Sequence, residues 1–181
     1  MTRRKILLIS ARVVVAVALA SLASHRPALA IGPDEERAEL ANALSNVKVS
    51  LQQGFTASER EGQPISGKFE IDGGKLQLSV YTAKDGKFFE VIVDHMTGSI
   101  AKVEPITEGE DFTHAKSQKA AMDRAKVKLA DAATKAKGQA KGEVAEVVVV
   151  SAVPELKNDR SEVAVVLLQG KRFSTASEPL D

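Results

Sequence analysis

The chain has 181 residues, with 25 Lys and Arg against 24 Asp and Glu, for a formal net charge of +1. Residues 1–30 hold five of the basic residues and no acidic one, so residues 31–181 carry 20 basic and 24 acidic groups, a net −4. This remainder, with few aromatics and no Trp, lacks the cationic field and stacking surfaces of a typical nucleic-acid binder, and the absence of Cys excludes disulfides, iron–sulfur clusters and thiol nucleophiles.

The amino-terminal segment reads as an export signal. Met1–Arg12 is basic, Val13–Ala23 is an apolar stretch broken only by Ser21, and Ala28-Leu29-Ala30 is the small-x-small pattern that a signal peptidase cuts. A spanning helix needs about 20 apolar residues, so this run is too short for stable membrane insertion. Arg3-Arg4-Lys5-Ile6-Leu7 also resembles a twin-arginine export motif, which leaves Sec and twin-arginine routes both open. Either route leads to a periplasmic or secreted protein.

Residues 31–105 read as one helix followed by a meander. Pro33 and Asp34-Glu35-Glu36 suit a helix start. Leu40, Leu44, Val47 and Leu51 fall on one face of a helix of about 20 residues, and Gly54 is its expected stop. Ile65, Gly67, Phe69 and Ile71 then alternate with polar residues, Gly73-Gly74 is a hairpin turn, and Leu76, Leu78 and Val80 alternate in turn. Asp85-Gly86 leads to Phe89, Val91 and Val93, and after Asp94–Gly98 a fourth strand is expected over Ser99–Val103, ending before Pro105. The alternation predicts an antiparallel sheet with one buried and one wet face.

An acidic stretch, assigned as a linker over residues 106–112, precedes a second helix and meander over residues 113–181. Thr113 is the expected cap of a helix that frays at Gly138 and Gly142. Strands are expected over Val144–Val153, stopped by Pro154, then Glu162–Leu168 and Arg172–Ser177. Lys75–Val80 leading to Gly86-Lys87-Phe88 parallels Glu162–Leu167 leading to Gly170-Lys171-Arg172-Phe173, an offset of about 85 that suggests an internal, degenerate repeat. The predicted class is therefore α+β, as two tandem units, each one helix packed on an antiparallel meander.

The run Phe89–Ile100 resembles the PepSY domain family, named for peptidase propeptides and YpeB-like exported proteins. Val93, Asp94, Thr97 and Gly98 match that family's strand-ending Val-Asp-x-x-Thr-Gly residue by residue. The likeness covers about Asp34–Val103, whereas Thr113–Asp181 matches in order of elements alone, since Ser174–Pro179 lacks the turn. The resemblance implies a non-catalytic, exported binding or regulatory module that restrains or shields a peptidase. Its partner would be a protein or peptide. The residues themselves give a structural reading: Asp94 makes an Asx-type turn, and Gly98 supplies a positive φ.

The search for chemistry yields no catalytic, cofactor-binding or metal site. There is no HExxH, Gly-x-Ser-x-Gly, Gly-x-Gly-x-x-Gly or P-loop, and His95 and His114 are the only histidines after residue 30. His95 is expected to face solvent at its turn. No enzyme activity, cofactor or nucleic acid is expected, and the alternative function is that of an envelope structural or assembly protein with no peptidase partner. Amino-terminal sequencing of the purified protein is expected to begin at Ile31; a preparation that retains Met1 would overturn the export reading.

Overall fold

The computed structural model describes residues 34–140 and 146–181. The predicted export segment, with Ala28 and Ala30, lies outside them, as do Gly142 and the expected strand start at Val144.

Apolar residues at every second position form seven strands: β1 Gln63–Asp72, β2 Lys75–Lys84, β3 Lys87–Val93, β4 Ile100–Ile106, β5 Val147–Lys157, β6 Arg160–Gln169 and β7 Arg172–Pro179. All pair antiparallel. Gly73-Gly74 joins β1 to β2 and Asn158-Asp159 joins β5 to β6, each turn with both residues at positive φ. Such turns carry the right-handed twist of the strands they join.

The two meanders share one sheet. Its order is β4-β3-β2-β1-β5-β6-β7, in which β1 meets β5 only through Gly67↔Ala152 and Lys68↔Ser151. Both prolines expected to stop strands lie inside them. Pro105 sits in the outer strand β4, opposite Phe89, where one side of the strand needs no partner. Pro154 pairs with Val163 beyond the last β1–β5 pair, so its missing N–H breaks no bond to β1.

Each half carries two helices where one was expected. The first half has α1 Asp34–Leu44 and α2 Leu51–Ser58, then a single 3-10 turn over Glu59–Glu61. The second has α3 Gly109–Met122 and α4 Leu129–Gly138. The first break is held by a capping box. Ser50 Oγ accepts from the Gln53 N–H at 3.2 Å, and Gln53 Oε1 accepts from the Ser50 N–H at 2.8 Å. Gly54 is therefore inside α2 rather than at a stop, and its bare Cα approaches Leu78, which would lie 2.9 Å from an added Cβ. Thr113 caps nothing; its hydroxyl donates to the Gly109 carbonyl within α3. Little of the expected linker over 106–112 exists, because β4 runs to Ile106 and α3 starts at Gly109.

Helices cover both faces of the sheet. Consecutive strand residues point to opposite sides. Leu78 meets α2, whereas Tyr81 donates a hydrogen bond to Asp111 of α3 at 2.8 Å. Ser66 likewise donates to Gln118 of α3 at 2.7 Å, with both residues buried, and Phe88 packs edge-to-face on Phe112. The face expected to be wet is thus partly roofed by α3. The buried apolar side chains form one cluster running from Leu40 to Leu180, so the halves share a core.

The halves also match in detail. A β-bulge falls between Pro64 and Ser66 in β1 and between Val149 and Ser151 in β5, places 85 residues apart. The N–H groups of Lys48 and Val49, between α1 and α2, both donate to the His95 carbonyl just after β3. Those of Lys126 and Val127, between α3 and α4, both donate to the Leu180 carbonyl just after β7. Packing volume is redistributed at the matching places. Phe55 of α2 lies over Gly67, whereas the second half has buried Ala133 and Ala152 there.

A Cβ on Gly67 would stand 2.5 Å from the Phe55 ring. Gly67→Ala is expected to cost about 1–3 kcal/mol in urea unfolding. The cost should shrink markedly in a Phe55→Ala background. Additive costs in that double-mutant cycle would show that Gly67 does not serve to admit Phe55.

Candidate functional site

The turn between β3 and β4 is built by one carboxylate. Asp94 Oδ1 accepts from the N–H groups of Met96 and Thr97, both at 2.8 Å. The Asp94 N–H donates to the Ser99 carbonyl, and the Gly98 N–H to the Asp94 carbonyl, each at 2.8 Å. Thr97 Oγ1 accepts from the Ser99 N–H at 3.3 Å. Gly98 has φ 78°, a left-handed conformation in which a β-branched residue is strained. The N–H donors of Met96 and Thr97 hold the Asp94 carboxyl below the usual carboxylate range. The structure thus places Asp94, Thr97 and Gly98 in one turn whose polar atoms serve the backbone.

His95 differs from its expected solvent-facing position. It is half-buried, and its Nδ1 is buried without a hydrogen-bond partner. Its carbonyl ties the α1–α2 connection to the end of β3. His114 is exposed on α3, a different element. Among the described residues no group of three or more His, Asp or Glu is arranged to hold a metal ion. The lone Tyr81 is the most perturbed titratable group described. Burial first, then the bond to Asp111 and the nearby Glu90, push its phenol far above the ordinary range. That arrangement anchors α3 to β2 and leaves the phenol a poor general base.

The outer strands are β4 and β7. β4 carries Pro105 and Lys102, devices that blunt an edge against further pairing. β7 pairs with β6 at all eight of its positions, from Arg172 to Pro179, and pairs with nothing on its other side among the described residues. Its only proline is its last residue. At the start of β7 a surface cavity of about 360 Å³ lies between α1 and the β6–β7 turn. Arg37, Lys171 and Arg172 line it together with Asn42 and Phe173, and none of its described lining residues is acidic.

Sequence reasoning found the Asp94–Gly98 turn but not this second site. Lys171 is legible as a turn residue and Arg172 as the start of the strand after it. Nothing in the sequence placed Arg37 beside them, because the contact depends on how α1 crosses the fused sheet. No described helix is long and apolar enough to cross a membrane. No family model matches the chain, and neither a curated protein nor a solved structure matches it.

The turn makes two measurable demands on stability. Gly98→Val is expected to cost about 1–3 kcal/mol from backbone strain. For Asp94 the folded carboxyl titrates below the unfolded one, whose pKa is about 3.9. Its contribution is therefore present above that value and is lost as pH falls through the folded pKa, because the unfolded state then binds more protons. Asp94→Asn should be less stable than the native chain at neutral pH, and the gap should close in acid. A gap that persists unchanged below about pH 3 would show that the charge is not what the turn uses.

Proposed function

We propose that the protein is an exported, non-catalytic binding module of PepSY type whose open sheet edge takes extended peptide segments, and that it thereby restrains or shields a peptidase. The observation that carries this reading is β7. Eight residues are fully paired on one side and free on the other among the described residues. An unpaired row of N–H and C=O groups gives main-chain recognition of an extended segment without any catalytic group. The PepSY part draws support from Val93-Asp94-x-x-Thr97-Gly98 at the junction of two strands, and from the helix-first order of each half. Repeated bulges and repeated carbonyl clasps support reading the halves as two copies of one unit. With no Trp and one Tyr, the chain offers few aromatic anchors. Binding should rest on backbone hydrogen bonds, which favours modest affinity and broad selectivity.

The purified protein is expected to hydrolyse no peptide substrate and to slow one or more secreted peptidases, including thermolysin-like enzymes, at micromolar concentration. The measurement is initial rate across a peptidase panel with and without the protein. No inhibition across the panel, together with an empty periplasmic pull-down, would favour a structural or assembly role in the envelope.

A further inference from the structure

The outward side of β7 is complementary to itself. One residue past the strand, the Leu180 N–H donates to the Ser161 carbonyl of β6 at 2.8 Å. Along an antiparallel strand the bonding direction alternates from residue to residue. Glu178, Ala176, Ser174 and Arg172 therefore turn their backbone groups toward β6, and Phe173, Thr175, Ser177 and Pro179 turn theirs outward. Pro179 has no N–H. The outward residues with both an N–H and a C=O are thus Phe173, Thr175 and Ser177, a row symmetric about Thr175.

We propose that β7 pairs antiparallel with β7 of a second copy, about a twofold axis at Thr175, to give a dimer with one continuous sheet. Outward groups must meet outward groups, so the axis passes through a residue and not between two. At Thr175 it sets Phe173 opposite Ser177 of the second copy and Thr175 opposite Thr175, so every outward N–H of the row meets a carbonyl. An axis at Ala176 would instead set Phe173 opposite Pro179, which has no N–H to give. Charge favours the same register. Arg172 falls opposite Glu178 of the second copy, where it joins the ion pair that Glu178 makes with Lys135 at 2.9 Å, and Phe173–Ser177 between them is uncharged. The pairing also closes. β4, the outer strand at the far end of the sheet, is blunted by Pro105 and Lys102, so assembly stops at two copies and does not continue as a fibre. A joint of one strand pair is small and sets a weak, reversible association. It uses the edge that the peptide reading assigns to extended segments but does not depend on that reading. Bound peptide and second copy exclude each other.

The test combines sedimentation of the purified protein over about 1–200 µM with hydrogen exchange read at single residues. The mass should rise toward that of two chains. The amides of Phe173, Thr175 and Ser177 should gain protection of about ten-fold or more over this range. Those of Ser174 and Ala176, which face β6, and those of β4 should not change. Thr175→Pro removes an outward N–H and breaks no bond to β6, so it should hold the protein as a monomer with an unchanged circular dichroism spectrum. Thr175→Val keeps the N–H and should still dimerise. The chain has no Cys, so Thr175→Cys should cross-link two copies under mild oxidation and Ala176→Cys should not. A single-chain mass at every concentration, a dimer that survives Thr175→Pro, or cross-linking of Ala176→Cys in preference to Thr175→Cys would each overturn the proposal. A monomer that still slows a peptidase would do so while leaving the edge-binding reading standing. A dimer that slows no peptidase, even when diluted to single chains, would support the proposal and remove that reading alone.

Discussion

The whole sheet depends on a seam of two residue pairs. β1 and β5 meet only at Gly67↔Ala152 and Lys68↔Ser151, and a backbone hydrogen bond contributes about 0.5–1.5 kcal/mol net, so the strands alone cannot hold the halves together. The helices on each side do most of that work. On one face α2 and α4 pack against each other, with Phe55 lowered onto the seam because Gly67 has no side chain. On the other face α3 straddles it. Gln118 accepts from Ser66 of β1, Asp111 accepts from Tyr81 of β2, and the Ala121 carbonyl accepts from the buried Ser161 of β6. The ion pair of Lys128 with Glu59 also joins the halves, but both side chains are largely exposed and such pairs contribute little. Buried hydrogen bonds and apolar packing therefore hold the molecule as one body.

This seam explains what could be read from the sequence. Strands and turns were legible because alternation and paired turn residues are local signals. Gly73-Gly74 and Lys157–Arg160 mark hairpins whatever lies around them. The helices were misjudged because Leu40, Leu44, Val47 and Leu51 keep a helical spacing straight through the break at 45–50. The signal that locates the break was present in Ser50-x-x-Gln53, a capping-box pattern that starts α2 afresh. Tyr81 and Ser66 stood at positions that alternation assigns to solvent. Only the fused sheet, with α3 laid across both halves, puts them under a helix. The position of Gly67 on the apolar side was the single local trace of the seam.

The two outer strands show how similar halves come to present different surfaces. β4 carries a proline and a lysine and closes the first half with a blunted edge. β7 is serine- and threonine-rich up to Glu178, a composition that exposes backbone without adding an apolar surface prone to aggregation. The cationic cavity at its start has the same asymmetry. Arg37 reaches it from α1, a helix of the other half, so the fused arrangement is required to assemble it.

The role of the Asp94–Gly98 turn follows from comparing the same place in both halves. The carbonyl clasp on the helix connection is made by His95 in one half and by Leu180 in the other, so it does not require an Asp-x-x-Thr-Gly sequence. The residue that matches Asp94 is Pro179, which has no side-chain acceptor to gather the following N–H groups. The carboxylate, the Thr97 hydroxyl and the positive φ of Gly98 therefore serve a different end. They reverse the chain after the clasp, with Asp94 bonded to Ser99, and deliver it into β4. The motif makes the added strand that closes the β3 edge. The edge of β7, with proline in place of that carboxylate, has no added strand beside it among the described residues.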